Sequence, residues 1–202
     1  MSTLASRRRS TPSSKGFALA AAWRCSPASS GLDGTPTASN KDGSMHRFED
    51  SRAVEARWEG VLDAWLRADG RDVRPATMAE QWKGIDRVVT DENGEVCGIE
   101  YKIDEVARRT GNIFVETVSN DNTGRPGWAY TSTARWIFYF IVPDRVLCLL
   151  TERLRAALPA WLRRFRLKSA DNGDYRTVGV VVPIVEAEKV AEQASLLPTE
   201  RG

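Results

Sequence analysis

The hydrophobic positions between residues 49 and 68 recur at helical spacing. The apolar residues at i, i+4, i+7, i+8 and i+11 are Val54, Trp58, Val61, Leu62 and Trp65. This spacing predicts an amphipathic helix with one face packed on a core. Asp50 or Ser51 can cap its start, and Gly70 follows its end. Glu55 lies at the border of the apolar stripe, where a carboxylate needs a partner.

The next pattern has a period of two and predicts a β-hairpin over residues 85–104. Asn93-Gly94 supplies the turn, because this dipeptide readily adopts positive φ angles. In the second strand the apolar set is Cys97, Ile99, Tyr101 and Ile103, and the polar set is Glu100, Lys102 and Asp104. Because alternate side chains point to opposite faces, we expect the polar set to lie together on an open face.

The rest of the chain predicts further strands and helices around this hairpin. Expected strands are 113–118, 136–142, 146–150 and 176–182, and expected helices are 151–166 and 186–194. Residues 71–83 and 119–133 are predicted to be irregular, and Asn172-Gly173 is expected to form a turn. Pro159 is expected to kink or break its helix. The order of elements predicts an α/β domain with a central mixed sheet flanked by helices.

Composition and charge divide the chain. Residues 1–44 are rich in Ser, Ala, Gly, Pro and Thr and hold six basic and two acidic residues, a net +4. The remainder holds 23 basic and 25 acidic residues, a net −2, so a uniformly basic body is absent. We predict a disordered or non-native extension over 1–44, a folded domain over 45–195 and a flexible tail over 196–202.

Three interpretations of the first 44 residues remain open. A basic, Ser-rich, acid-poor start is compatible with a mitochondrial transit peptide, and the short apolar run 17–23 weakly resembles a signal peptide. Alternatively, translation begins at Met45, where the folded type of sequence starts. An N-terminal mass measurement on the protein from its natural source distinguishes these interpretations.

The residue inventory excludes several kinds of chemistry. His46 is the only histidine, which argues against a His-rich metal site or a Ser-His-Asp triad. Cys25, Cys97 and Cys148 lack metal-ligand or redox spacing, so a reducing cytoplasm is the simplest expected setting. No apolar run approaches the length of about 18 residues that spans a membrane. We therefore expect no membrane association.

One constellation points to a reaction. Asp86, at the start of the first hairpin strand, is followed after thirteen residues by Glu100-Tyr101-Lys102 in the second strand. The hairpin is expected to bring two carboxylates and an ammonium group to one end of the sheet. Hard carboxylate oxygens suit Mg²⁺, and a lysine beside them suits water activation and phosphate binding.

The motif and its setting resemble the PD-(D/E)XK nuclease superfamily. The resemblance rests on Asp86, on Glu100-x-Lys102 and on the order of helix, hairpin and strand over residues 49–118, with Ile85 in place of the family's proline. It implies a restriction-endonuclease-like core with Mg²⁺, or Mn²⁺ as a substitute, held by Asp86, Glu100 and the carbonyl of Tyr101. Lys102 would then orient or deprotonate the attacking water, and Glu55 would hold a second ion or a metal-bound water.

Several other residues are candidates for supporting roles. Glu59 is a less well placed substitute for Glu55, Glu116 on the next strand is a further candidate metal ligand, and Asp104 is expected to be solvated. Candidate nucleic-acid contacts are Arg125 and Trp128 in the 119–133 loop and the basic stretch Arg163, Arg164, Arg166 and Lys168. A solvated helix face is an equally good interpretation of that stretch, which also includes Arg153 and Arg155, and Trp128 can instead cover the core edge.

The expected function is therefore a Mg²⁺-dependent phosphodiesterase that cleaves DNA, acting on ends or structures in phage or bacterial repair and recombination. A homodimer is one expected assembly. The alternative is a non-catalytic nucleic-acid-binding or protein-interaction module on the same scaffold, because fold does not determine function. RNA as the substrate is a weaker option, because no group that recognises a 2′-hydroxyl is evident.

Overall fold

The computed structural model describes residues 45–197 of the chain, with side chains described from Val54 onward. The helices are α1 (Met45–Ala68), α2 (Met78–Gln81), α3 (Ala107–Thr110), α4 (Trp128–Thr131), α5 (Thr151–Arg164) and α6 (Ile184–Glu188). The strands are β1 (Asp72–Pro75), β2 (Arg87–Thr90), β3 (Val96–Asp104), β4 (Asn112–Asn120), β5 (Arg125–Pro126), β6 (Trp136–Ile141), β7 (Arg145–Leu150), β8 (Leu167–Asp171), β9 (Arg176–Pro183) and β10 (Gln193–Leu196).

The strands form two sheets. The larger is a six-stranded mixed sheet in the order β1-β2-β3-β6-β7-β10, and the smaller is a four-stranded sheet in the order β5-β4-β9-β8. Strands β3 and β6 are parallel, whereas the other pairs in both sheets are antiparallel. This mixed α/β architecture confirms the predicted class and the mixed central sheet.

The two faces of the six-stranded sheet are covered by different kinds of element. Helix α1 packs Leu62, Trp65 and Leu66 against Ile99 and Tyr101 of β3 and the aromatic residues of β6. The opposite face packs on β4, β9 and helix α5 in a second cluster. Helices therefore pack on the central sheet as predicted, but on the second face a four-stranded sheet that the sequence did not predict accompanies helix α5.

Strand β6 explains why both faces must be covered. All six of its residues, Trp136 to Ile141, are buried, and they alternate between the two core clusters. Since a strand that is apolar on both faces cannot leave either face in water, it takes a central position in the sheet. Its neighbour β3 shares that position through the parallel pairing of Glu100 with Ile137 and of Lys102 with Tyr139.

The main elements agree with the sequence pattern. The hairpin, the strands now seen as β4, β6, β7 and β9, and the turn at Gly173 are confirmed, and the turn glycines Gly94 and Gly173 have positive φ angles. In β3 the apolar residues face the first core cluster as expected, but the polar face is only partly open. Glu100 is 4% exposed, whereas Lys102 and Asp104 are half-buried.

Other expectations need correction at the ends of elements. Helix α1 begins at Met45, so Asp50 and Ser51 lie inside it and do not cap it. Helix α5 continues through Pro159. The region 71–83 contains β1 and α2, and the 119–133 loop contains β5 and α4. These short elements have too few residues to generate a periodic pattern.

The C-terminal part also differs from expectation. Residues 167–171 form the hairpin strand β8, and β10 replaces the second half of the expected last helix. Strand β10 pairs with β7 and extends to Leu196, and Leu197 is buried. The proposed extension over 1–44 and residues 198–202 of the proposed tail lie outside the described residues. Within the part of the chain that the structure describes, no helix is both long and apolar enough to traverse a lipid bilayer.

Close contact between β4 and β9 gives a prediction about stability. A Cβ atom at Gly179 would lie 2.6 Å from Phe114 Cζ and 2.6 Å from the carbonyl oxygen of Val115. We expect Gly179→Ala to lower the free energy of unfolding by about 1–3 kcal/mol, because the two strands must separate. Urea denaturation measures the change.

Gly60→Ala is the matched control, because a Cβ atom there meets nothing within 4 Å on helix α1. It should raise the free energy of unfolding by about 0.5–1 kcal/mol through helix propensity. Equal effects of the two substitutions would contradict the described approach of β4 to β9.

Candidate functional site

Asp86 lies one residue before β2, where the hairpin register brings it beside Glu100. Arg87 pairs with Ile99 in the antiparallel ladder, so the preceding step sets Asp86 opposite Glu100. The amide of Asp86 donates to Ile99 O at 2.9 Å, and Asp86 Oδ2 accepts from the Tyr101 amide at 2.7 Å. The carboxylate is therefore fixed on the backbone of the Glu-x-Lys segment.

Glu100 and Lys102 form an ion pair inside the protein. Lys102 Nζ lies 2.6 Å from Glu100 Oε1, and the glutamate side chain is far more buried than the lysine. The second oxygen, Oε2, is buried and accepts no hydrogen bond. Ser132 Oγ is nearby, but it donates its single proton to Gly84 O at 3.0 Å. One lone-pair-bearing oxygen of Glu100 is thus available for a ligand.

The electrostatics of Glu100 follow from this burial. Burial raises its pKa above the ordinary value, while the charge and hydrogen bond of Lys102 oppose the increase, and the charge of Asp86 adds to it. A cation between the two carboxylates would offset this repulsion of Glu100 by Asp86. A bound divalent cation would also offset the cost of burying the Glu100 charge.

The donor set fits Mg²⁺, although it is small. Among residues 54–197 no group of three or more His, Cys, Asp and Glu side chains is arranged to hold a metal ion. Mg²⁺ in proteins commonly uses one or two carboxylates and keeps several waters, so Asp86 and the orphaned oxygen of Glu100 suffice. Tyr101 can contribute only its backbone, because its hydroxyl donates to Asp63 Oδ1 at 3.0 Å in the core.

A cleft of about 340 Å³ opens beside these residues. Its lining residues are Glu55, Glu59, Asp86, Tyr101, Lys102, Ile103, Asp104, Phe114, Trp128 and Tyr139. Glu55, the residue of α1 that the sequence nominates for the site, is exposed and lines this cleft. Glu55, Asp86 and Lys102 therefore share one cavity, whereas the buried Glu100 is not among the residues that line it.

Glu59 has a different task from the substitute role considered for it. Arg87 Nη2 lies 2.8 Å from Glu59 Oε2, and Arg87 Nε lies 2.9 Å from Asp63 Oδ1. The guanidinium also lies 5.4 Å from the centroid of the Tyr101 ring. These contacts attach α1 to the hairpin and leave Glu59 neutralised. Asp63 was not singled out by sequence, although it follows Glu55 and Glu59 at successive i+4 steps.

Asp104 is a structural carboxylate, and the expectation that it is simply solvated is wrong. Its Oδ1 accepts from the amides of Val106 at 2.8 Å and Ala107 at 2.7 Å, and its Oδ2 accepts from Tyr139 Oη at 2.6 Å. It therefore begins the turn into α3 and fixes the floor of the cleft. With these partners it is poorly suited to coordinate a metal.

Strand β4 and helix α4 form the roof over Lys102. The ring centroid of Trp128 lies 5.5 Å from Lys102 Nζ, and the Trp128 amide donates to Glu116 Oε1 at 3.3 Å. Burial raises the pKa of Glu116, with the Trp128 amide and Lys102 opposing and Glu100 contributing. Gly127 permits this approach, because a Cβ atom there would lie 2.6 Å from Glu116 O. Glu116 is therefore electrostatically coupled to the site through the roof.

The basic stretch on α5 divides into residues with internal partners and residues with none. Arg153 pairs with Glu192 at 2.9 Å and Arg164 with Glu186 at 3.4 Å, so these two arginines are neutralised within the protein. Of the predicted nucleic-acid contacts, Arg125, Arg163, Arg166 and Lys168 are exposed and make no ion pair among the described residues. These four remain available for phosphate contacts.

Arg155 points away from any such surface. Its Nε donates to Ala129 O at 2.9 Å and its Nη2 to Tyr130 O at 2.9 Å and to Ser132 O. Burial lowers its pKa, and the negative charge of Glu100 opposes that shift. Arg155, which the sequence assigns to the basic stretch, and Ser132 have a supporting role that the sequence did not predict, since only folding brings them to Glu100.

The pKa of Glu100 gives a prediction about stability without added divalent cation. When folding raises the pKa of a carboxyl group, the folded protein is most stable while that group is protonated. The free energy of unfolding therefore falls as pH rises from the unfolded-state pKa, about 4.3, through the folded-state pKa. We expect Glu100→Gln to raise the urea midpoint at neutral pH and to have no such effect near pH 4. Glu92→Gln, on the exposed turn, is the control. Destabilisation by Glu100→Gln at neutral pH would mean that the Lys102 pair outweighs burial.

Metal binding gives a second prediction. About 10 mM Mg²⁺ acting at a site with a Kd of about 1 mM should raise the free energy of unfolding of the wild type by about 1.4 kcal/mol. Asp86→Asn and Glu100→Gln should abolish this gain, whereas Glu92→Gln should retain it. Thermal or urea unfolding with and without Mg²⁺ measures the difference. An equal gain in all four proteins would place Mg²⁺ binding elsewhere.

Comparison with known proteins finds no relative of this chain. No protein-family model matches the chain, and neither a curated protein nor a solved structure is detectably similar to it.

Proposed function

We propose that this protein is a Mg²⁺-dependent phosphodiesterase that cleaves DNA. The observation that carries the proposal is the Glu100 carboxylate, whose buried oxygen Oε2 accepts no hydrogen bond, whose Oε1 lies 2.6 Å from Lys102 Nζ, and whose pKa is raised in part by the charge of Asp86. An unsatisfied buried carboxylate oxygen is costly unless a ligand completes it. A divalent cation is the ligand that two adjacent carboxylates would favour.

Each side chain has a task in this proposal. Asp86 and Glu100 would hold the ion, which when bound supplies polarisation of the scissile phosphate and a lowered pKa for its water. Lys102 lies at the mouth of the cleft and is partly exposed, so its ammonium group can reach a phosphoryl oxygen and stabilise the charge that develops there. Glu55, on the exposed side of the cleft, would accept hydrogen bonds from metal-bound water.

Within this proposal the chain has a core of the PD-(D/E)XK, restriction-endonuclease-like type. Support comes from helix α1, the β2–β3 hairpin with its Asp and Glu-x-Lys residues, and the parallel partner strand β6. The four-stranded sheet is an addition to that plan. Mn²⁺ should substitute for Mg²⁺, because both accept oxygen ligands in octahedral geometry.

A non-catalytic nucleic-acid-binding module is the second candidate. The observation that favours it is the small donor set, since no three-residue metal cluster is present within residues 54–197, and Lys102 already has Glu100 as a partner. In such a module the ion pair would serve only to neutralise two buried charges. Activity measurements separate the two candidates.

Shape-preserving substitutions test the proposal. Asp86→Asn keeps an oxygen that can accept from the Tyr101 amide, and Lys102→Met keeps an unbranched side chain of similar length while removing the ammonium group beside Trp128. Each should lower the rate of DNA cleavage by about 10²-fold or more, because it removes a metal ligand or the cation at the phosphate. Lys189→Met, an exposed lysine on the segment after α6, should leave the rate unchanged.

The assay uses junction, nicked, linear duplex and single-stranded DNA with Mg²⁺, Mn²⁺ or EDTA. Cleavage that requires the ion and that both variants lose is the expected result, with DNA binding retained by the variants. Folded protein that binds DNA but cleaves none of the four substrates with either ion would reject the enzyme and favour the binding module.

A further inference from the structure

Two surface turns meet beside the candidate site and are tied together. The turn after α2 contains Lys83 and Gly84, and the turn after α4 contains Ser132 and Thr133. Lys83 O accepts from the Thr133 amide at 2.7 Å and from Thr133 Oγ1 at 3.0 Å. Ser132 Oγ donates to Gly84 O at 3.0 Å. The turns therefore form one rigid rim although they are separated by about fifty residues along the chain.

This rim lies directly against the carboxylates of the site. A Cβ atom built at Gly84 would be 3.2 Å from Ser132 Oγ and 3.3 Å from Glu100 Oε2. Asp86 follows Gly84 by two residues. The rim therefore packs directly on the buried carboxylate of Glu100 and lies two residues from Asp86.

The rim presents large aromatic residues to solvent. Trp82, at the end of α2, is 70% exposed, and Tyr130, in α4, is 49% exposed. Met78 lies one helical turn before Trp82 and is also exposed. A monomeric protein gains nothing in stability by exposing an indole ring to this extent, so such a group usually marks a binding surface.

The aromatic residues stand on braced backbone. Arg155 donates to the carbonyl groups of Ala129, Tyr130 and Ser132, which holds α4 and its following turn. At α2 the Thr77 amide donates to Glu80 Oε2 at 2.7 Å, and Arg74 Nη2 lies 2.9 Å from Glu80 Oε1. Because the backbone of both α2 and α4 is held by these bonds, little conformational entropy is lost there when a ligand stacks on the rings.

The rim also has a cation of its own. Lys83, between Trp82 and Gly84, is exposed and makes no ion pair among the described residues. Stacking surfaces interleaved with a free cation are the combination that binds single-stranded nucleic acid. In a duplex the base faces are hidden by stacking, so side chains of this kind can engage only terminal or unpaired bases.

We propose that Trp82, Lys83 and Tyr130 form a platform for the unpaired nucleotides of a DNA strand whose adjacent phosphate enters the site at Asp86 and Glu100. The inference rests on the proposed function and specifies its substrate class as DNA with a single-stranded segment next to the cleaved bond. Lys83 would contact the backbone phosphate, and the two rings would stack on successive bases.

The test compares Trp82→Ala and Tyr130→Ala with the wild type on a single strand, a duplex with a single-stranded tail and a blunt duplex. Binding is measured by fluorescence anisotropy in EDTA, and cleavage is measured with Mg²⁺. Each substitution should weaken binding of the single strand and the tailed duplex by about tenfold and that of the blunt duplex by less than about twofold. Trp82→Phe should restore most of the affinity.

Tyr175→Ala is the matched control, because Tyr175 is an aromatic residue 38% exposed at the β8–β9 hairpin. It should change neither binding nor cleavage. All the substituted side chains are exposed, so unchanged thermal unfolding is expected and checks that the variants are folded.

The outcomes separate this inference from the proposed function. Metal-dependent cleavage with equal affinity of wild type and both platform variants for tailed DNA would overturn the platform and leave the nuclease. Absence of cleavage together with a tail-specific loss of binding would overturn the nuclease and leave the platform as a single-strand binding surface. Self-association that Trp82→Ala abolishes, without any effect on DNA, would assign the patch to a second copy of this chain and overturn the platform.

Discussion

The burial of a charged strand between two layers is the constraint on which the site depends. Strand β6 is apolar on both faces, so it must lie at the centre of the sheet, and its parallel partner β3 is covered with it. This position forces Glu100 into the interior, where its charge is stabilised by Lys102 but one oxygen is left without a donor. A solvated carboxylate in the same motif would have a weaker need for a ligand. The chemistry proposed for this protein therefore derives from the burial of one carboxylate on a charged strand.

The acidic residues of α1 show how one helix can serve stability and the site together. Asp63 and Glu59 neutralise Arg87 and so attach the helix to the hairpin, while Glu55, one turn further toward the N-terminus, lines the cleft. The ion pairs are largely shielded from water, so removing one partner would leave a buried charge and loosen the helix from β2 and β3. The position of Glu55 relative to Asp86 is thus set by the contacts of Glu59 and Asp63 with Arg87.

The residues that form the roof of the cleft also have separate roles. Gly127 allows α4 to approach β4, Trp128 covers Lys102, and Arg155 holds the carbonyl groups that follow. Because Arg155 comes from α5, the packing of that helix on the sheets determines where the rim presents Tyr130. Arg155 therefore affects both the access to the cleft and the geometry of its walls, although it is not one of the residues that line the cleft.

The sequence by itself determined the class of fold and the nucleus of the site. Periodicity of two and Asn93-Gly94 predicted the hairpin, strand parity placed Tyr101 and Lys102 on opposite faces, and the helical stripe identified α1 with Glu55 at its border. These features are local, since backbone geometry alone relates residues a few positions apart. Tertiary structure decided that Glu100 is buried, that Glu59 is engaged by Arg87, that Asp104 receives Tyr139, and that Trp82 and Tyr130 share one rim. Those facts join residues distant in the chain through packing and long-range hydrogen bonds, and no local pattern encodes which distant partner a side chain will meet.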